Sequence, residues 1–280
     1  KNIQSVPNSI PSTVTNLKNM FDACDNFNDP SVSNWDTTNV TNMQGTFRRC
    51  NDFNQSLNSW NVSNVLIMNQ MFQYCRVLTQ SFSNWNPAKV TNMSQMFQNG
   101  SSSDRPVAGV GPTGLGSWDV GKVENFSAMF EYCAEDFNPD VTSWNVSSAT
   151  NLQTMFAHTA ISRSLASWNV SNVQYMHALF RDTSPSVDLG LSNWNTSSAT
   201  DMSYMFMNVD CSQIGSLFTS NGMQLTTMNS MFSGATVTEA QAGEIATWDI
   251  SNLTDAGGMF SATSLTTKGY DAILNGWATE

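Results

Sequence analysis

One short phrase, a Met-Phe pair or a near copy of it, recurs ten times along the chain, and its spacing limits what the chain can fold into. The copies are Met20-Phe21, Thr46-Phe47, Met71-Phe72, Met96-Phe97, Met129-Phe130, Met155-Phe156, Leu179-Phe180, Met205-Phe206, Met231-Phe232 and Met259-Phe260. Successive phenylalanines lie 26, 25, 25, 33, 26, 24, 26, 26 and 28 residues apart. In eight copies a Trp stands twelve residues upstream: Trp35, Trp60, Trp85, Trp118, Trp144, Trp168, Trp194 and Trp248. A fixed period in this range means stacked, similar units that share one core, not a globule wrapped around one pocket.

The stretch from Leu57 to Cys75, LNSWNVSNVLIMNQMFQYC, shows how one unit is expected to form. Trp60 and Val62 flank Asn61, so a short strand would turn the apolar pair inward and Asn61 outward. Val65, Met68 and Phe72 fall at i, i+3 and i+7, one face of a short helix. Ser63 and Asn64 stand just ahead, where they could cap it. The pattern predicts an α/β repeat solenoid, leucine-rich-repeat-like, of about ten coils of ~25 residues, with a parallel β-sheet on one face and short helices on the other. At roughly 4.8 Å per strand, ten coils would extend on the order of 50 Å. The eight tryptophans are the expected structural core. The Met stripe reads as core filler beside them.

The pattern W-[DN]-V-S-N-V-x-x-M-x-x-M-F-x-x-C, seen from Trp60 to Cys75, resembles the bacterial surface protein 26-residue repeat. That repeat is known from mycoplasma lipoproteins and is related to the BspA-like leucine-rich repeats. The segment Leu265 to Ala278 is similar to the closing segment of such arrays. The resemblance covers essentially the whole chain. It implies a secreted or cell-surface protein engaged in adhesion or host contact, and it carries over no catalytic residues.

Residues 1–264 read as the ten repeats, with an insertion loop at 99–116 and an irregular coil at 208–224; residues 265–280 read as a C-terminal capping helix. Ser220 and Ser9 stand where the Phe232 and Phe21 copies should have Trp, so both coils should be less regular. Tyr270, Ile273, Leu274 and Trp277 follow helical spacing and could lid the last coil. The chain opens on Lys1 and is expected to be a processed or truncated product. The amino end, KNIQSVPNSIP, carries no capping pattern. Either the open first coil meets another subunit, giving head-to-tail growth, or an upstream segment caps it.

Charged residues are only 12% of the chain, while 32 Asn and many Ser and Thr supply its polar surface. The net charge of −11 reflects scarce Lys and Arg, so no basic stripe is present to neutralise phosphates, and nucleic acid is not an expected partner. No apolar run approaches the roughly 18 residues of a membrane span.

Candidate sites are few. Cys24, Cys50, Cys75 and Cys133 each lie three residues after their Phe, while Cys211 is out of phase. They read either as disulfides between stacked neighbours or as a column of buried free thiols, since Gly100, Thr159 and Ala235 take the same place elsewhere. Asn-x-Ser/Thr sequons occur at Asn39, Asn54, Asn61, Asn92, Asn99, Asn125, Asn145, Asn169, Asn195 and Asn252. Most are repeat chemistry, and Asn99 in its loop is the expected glycosylation site. The run from Gly109 to Gly114 matches G-x-G-x-x-G, but Pro106, Pro112 and the absence of a βαβ unit make it an insertion loop. Such insertions often sit on binding faces, which makes this loop the first choice for partner contact.

Glu131, Glu135, Asp136 and Asp140 lack the spacing of a calcium loop. His158 and His177 are expected at the surface. No zinc, nucleophile or phosphate motif appears, so no cofactor or metal is expected and the chain reads as non-enzymatic. The residues after each Trp, namely Asp36, Asn61, Asn86, Asp119, Asn145, Asn169, Asn195 and Asp249, form an outward ladder. That ladder is either a flat contact surface for a protein or a polysaccharide, or side-chain stacking between coils. The expected function is an extracellular adhesion or structural-assembly protein, as a filament or matrix subunit. Recognition of receptors or glycans by a phage or virus fibre is the alternative, and a carbohydrate-active enzyme a distant one.

Overall fold

The computed structural model describes residues 3–100, 111–134, 136–218 and 224–278. The chain divides into two compact units, Lys1–Val146 and Ser147–Glu280. Both are built from the repeats, five Phe copies in each.

The segment around each Phe is a run of tight turns. In the first repeat Met20 N–H donates to Leu17 O, Asp22 to Asn19 O and Cys24 to Phe21 O, all three residues back. The alternate amides point the other way. Leu17, Asn19, Phe21 and Ala23 donate to Asn42, Gln44, Thr46 and Arg48 of the next repeat, at 2.8–2.9 Å. In the second unit Met176, Ala178, Phe180 and Asp182 repeat the pattern onto Asp201, Ser203, Met205 and Met207. Every second amide thus closes a turn and every other one joins two repeats, so no buried donor in the segment is wasted.

This chemistry overturns the expected α/β leucine-rich-repeat-like solenoid. Among the described residues there is no parallel sheet, only single parallel bridges such as Asn42↔Ile67, Ile67↔Asn92 and Tyr175↔Asp201. The only α-helices there are α1, Glu239–Ile245, and α2, Thr267–Trp277. Two physical reasons stand out. The residues two before and two after the Phe adopt left-handed backbone, for example Gln70 (φ 60) and Tyr74 (φ 63), or Ala178 (φ 51) and Asp182 (φ 54). Positive φ at the third residue of a turn is the type II signature, and it stops a helix every four residues. On the Trp side, Asn61 Oδ1 accepts from Ser63 N at 3.0 Å and Val65 N donates to Val62 O, so the chain turns before a strand can extend. Four-residue turns and 3.6-residue helical turns produce nearly the same i, i+3, i+7 spacing.

The core consists of aromatic columns. Phe47, Phe72 and Phe97 stack at 5.7 Å between ring centroids with planes within 3°. Phe156 and Phe180 do so at 6.1 Å, and Phe180 and Phe206 at 5.8 Å. The eight tryptophans are all buried. Trp35 stacks on Trp60 at 6.2 Å and Trp168 on Trp194 at 6.4 Å. Buried indole N–H groups need acceptors, and those of Trp35, Trp60, Trp85, Trp118, Trp144, Trp194 and Trp248 find one in the preceding stretch of chain. Trp60 Nε1 donates to Val32 O, Trp85 to Leu57 O and Trp194 to Leu165 O, at 2.8–3.1 Å.

Both helices lie at the end of the second unit. Thr238 and Gln241 form a reciprocal capping box that starts α1. Buried Gln241 also donates through Nε2 to Cys211 O and Gly215 O, both at 2.8 Å. In α2, Trp277 Nε1 donates to Ile245 O at 3.0 Å and its ring lies 6.3 Å from Phe260. Trp277 therefore sits against the last repeat as each Trp sits against the repeat before it.

Candidate functional site

The outward ladder of Asp and Asn residues is a set of Asx turns. Asp36 Oδ1 accepts from Thr38 N, Asn169 Oδ1 from Ser171 N, Asn195 Oδ1 from Ser197 N, Asp119 Oδ1 from Gly121 N and Asp249 Oδ1 from Ser251 N, at 2.9–3.1 Å. Hydrogen bonds from Thr38 and from Ser251 hold the Asp36 and Asp249 carboxyls below their ordinary range. Asn61 makes the same turn; Asn86 and Asn145 are exposed like the others except Asp249, which is half-buried. One oxygen of each such turn is taken by its own backbone, and Asn61 Nδ2 reaches Thr38 Oγ1 of the preceding repeat at 3.5 Å.

The sequons differ sharply in access. Asn39, Asn61, Asn145, Asn169, Asn195 and Asn252 are exposed; Asn54, Asn92 and Asn125 are half-buried. Asn99 is only 7% exposed and its amide donates to Phe97 O at 3.2 Å. Burial corrects the expectation that Asn99 is the best-placed acceptor for a glycan, which must attach to that same amide nitrogen.

All five cysteines are free and buried. Cys24, Cys50 and Cys75 follow one another in successive repeats, with Cys50 Sγ donating to Phe21 O at 3.2 Å and Cys75 Sγ to Phe47 O at 3.1 Å. Burial first, then the neighbouring Cys24, pushes the Cys50 thiol up to about 12; burial and Asp210 push Cys211 to about 12 as well. Thiol reagents at pH 8 should therefore modify these groups only as the protein unfolds, because the thiolate is the nucleophile. Unfolded, Cys50 and Cys211 ionise above about pH 8.5 while in the folded protein they stay protonated, so their contribution to stability should be lost as pH rises through about 8.5 to 12. Rapid labelling of native protein would refute the buried placement.

Of the insertion loop, residues 101–110 lie outside the described residues, including Gly109 of the G-x-G-x-x-G match. The remainder packs inward. Pro112 is buried, Thr113 bridges Ser81, and a side chain at Gly111 would collide with Phe137. In the irregular coil, 219–223 are likewise outside, with Ser220 among them. Phe218 supplies the aromatic missing there: it stacks on Trp248 at 5.2 Å and its carbonyl accepts Trp248 Nε1 at 3.1 Å. Glu135 is not described either, and among the described residues no three His, Cys, Asp or Glu side chains are grouped to hold a metal ion.

Both histidines lie on the turn face of the second unit, in a group the sequence did not single out. His158 Nε2 is 3.5 Å from Asp182, which also meets Arg181 Nε at 3.0 Å and Asn208 Nδ2 at 2.8 Å. His177 Nδ1 is 3.8 Å from Asp201, and its ring meets Tyr204 edge-on at 5.2 Å. Arg181 Cζ lies 6.0 Å over the Tyr204 ring, a cation–π arrangement. Tyr175 is 45% exposed beside them in sequence. The signal available beforehand was departure from the repeat: these positions hold Asn, Gln, Ser or Gly in several other copies.

Among the described residues no helix is long and apolar enough to cross a membrane. No curated protein matches the chain, and no solved structure does. The narrower resemblance to BspA-like leucine-rich repeats does not survive, because among the described residues there is no parallel sheet. The family described as "Mycoplasma protein of unknown function, DUF285" matches residues 2–110, 105–217 and 186–280, and with the whole repeat array so covered the chain belongs to that family.

Proposed function

We propose that the protein is a non-enzymatic, secreted or surface-displayed repeat protein that acts by adhesion or structural assembly, with head-to-tail contact between chains. The carrying observation is a complementary pair of edges. In the first repeat the carbonyls of Asn16, Lys18 and Met20 occupy the acceptor places used by Asn42, Gln44 and Thr46 in the next, yet receive no donor among the described residues. In the last repeat the amides of Ala256, Gly258, Phe260 and Ala262 occupy the donor places and have no acceptor there. Met20 is 42% exposed, whereas Met71, Met96, Met155 and Met205 at the same place are fully covered by neighbouring repeats. A hydrogen-bonding edge of this kind is a template for a further backbone, either a neighbouring molecule or chain beyond residues 1–280. α2 covers the Trp side of the last repeat; the turn side, Ala256–Ala262, is largely exposed.

The polar, nearly uncharged surface supports an extracellular setting. Sedimentation and negative-stain electron microscopy across concentration test the assembly reading. Linear polymers are expected, and Met20→Asp should weaken them by placing a charge in the joint. A chain that stays a monodisperse monomer at every concentration would remove it.

A further inference from the structure

We propose that the cluster of Tyr175, His177, Arg181 and Tyr204 on the turn face of the second unit is a binding site for a neutral hexose-type oligosaccharide. The repeat itself does not call for these residues. Equivalent places hold Asn42 and Thr227 for Tyr175, Asn69 and Asn229 for His177, and Ala157 and Ser233 for Arg181, with a second arginine only at Arg48. Tyr204 is the sharpest departure. Its left-handed backbone (φ 59) is shared by every repeat at that place, Gln70 (φ 60), Gln95 (φ 57) and Gly258 (φ 64) among them, but the other repeats place no aromatic ring there.

The chemistry selects the ligand class. The Tyr175 ring is open to solvent, and Tyr204 is half-buried with Arg181 above its face. Aromatic faces suit the C–H face of a pyranose ring, while their phenolic hydroxyls give and take hydrogen bonds. Arg181 uses Nε on Asp182, and its two terminal nitrogens have no acceptor among the described residues. Asp182 is held by Arg181, Asn208 and His158, so it positions the guanidinium. Asp201 stands 3.8 Å from His177 as a nearby acceptor. One Arg against two Asp leaves no positive surplus, in a chain of net charge −11, so an anionic ligand is disfavoured. A ring of mixed donors and acceptors, without charge, matches what remains.

This site rests on the reading that the protein acts through its surface, but not on self-assembly; monomer and polymer can be assayed alike. Isothermal titration with maltohexaose, cellohexaose, laminarihexaose and mannohexaose tests it, with a hyaluronan hexasaccharide and an acidic peptide as contrasts. At least one neutral hexasaccharide is expected to bind, and Tyr204→Gly should weaken it at least about tenfold with thermal stability unchanged or higher. Tyr175→Asn, His177→Asn and Arg181→Ser, each installing a residue that other repeats carry, should weaken it as well. The site is refuted if no neutral probe binds, if only the hyaluronan or the peptide binds, or if binding survives these reversions in a folded protein.

Discussion

Phe72→Ala should destabilise the first unit by about 3–5 kcal/mol, the usual cost of emptying a buried aromatic position. Phe72 is essentially inaccessible and has a ring parallel to it on both sides, Phe47 and Phe97, each at 5.7 Å. It also touches Trp85 at 6.2 Å, so one truncation opens a gap that borders three repeats. Relaxation is limited because Phe72 N–H donates to Met96 O and Cys75 N–H returns to Phe72 O, which fixes the backbone around the hole. Repeat proteins owe much of their stability to nearest-neighbour interfaces. The loss should therefore broaden the urea transition as well as lower its midpoint. Tryptophan fluorescence during urea unfolding measures both, and a loss below about 1 kcal/mol would mean that the stacked rings are not the core.

The second large effect is expected at Gly190, and it has a matched control of opposite sign. Gly190 has φ +72, and a Cβ placed there would meet Ala166 Cβ at 2.5 Å and Ala166 Cα at 3.0 Å. Gly190→Ala combines a left-handed penalty of about 1–2 kcal/mol with an overpacking cost of about 1–3 kcal/mol against a backbone that cannot step aside. A destabilisation of about 2–4 kcal/mol should follow. Gly243 lies inside α1, and a Cβ at that position would have open space for 4 Å around it. Gly243→Ala should instead stabilise by about 0.5–1 kcal/mol through helix preference alone. Thermal unfolding of the two variants side by side decides the matter. Shifts in the same direction would contradict the backbone geometry at one of them.

Much of the interior could be read from the sequence because the constraint on it repeats. A Trp, a Met and a Phe at fixed places had to meet their copies, and all eight repeat tryptophans are buried. The secondary structure could not be read in the same way. Val65, Met68 and Phe72 look helical, yet Gln70 and Tyr74 are left-handed, and neither Gln nor Tyr announces positive φ as Gly does. The glycines at Gly45, Gly234 and Gly258 did carry that signal, in the same turn positions. α1 had its own sign, Thr238 with Gln241 three residues on, which a search for the dominant period passes over. Phe218 replaces a Trp from two residues away from the expected place, a shift that fixed-spacing arithmetic cannot follow. The Tyr175 to Tyr204 group was invisible for a related reason. Reading a repeat averages over copies, and a site made of exceptions vanishes in the average.

The alternation of amides along the turn segment has an evolutionary corollary. Every layer exposes the same comb of carbonyls below and N–H groups above, so a layer could be duplicated or deleted without remaking its neighbours. Array length in such genes is then free to drift by whole layers, while a deletion of half a layer would shorten one comb and leave part of its neighbour's donors and acceptors without partners.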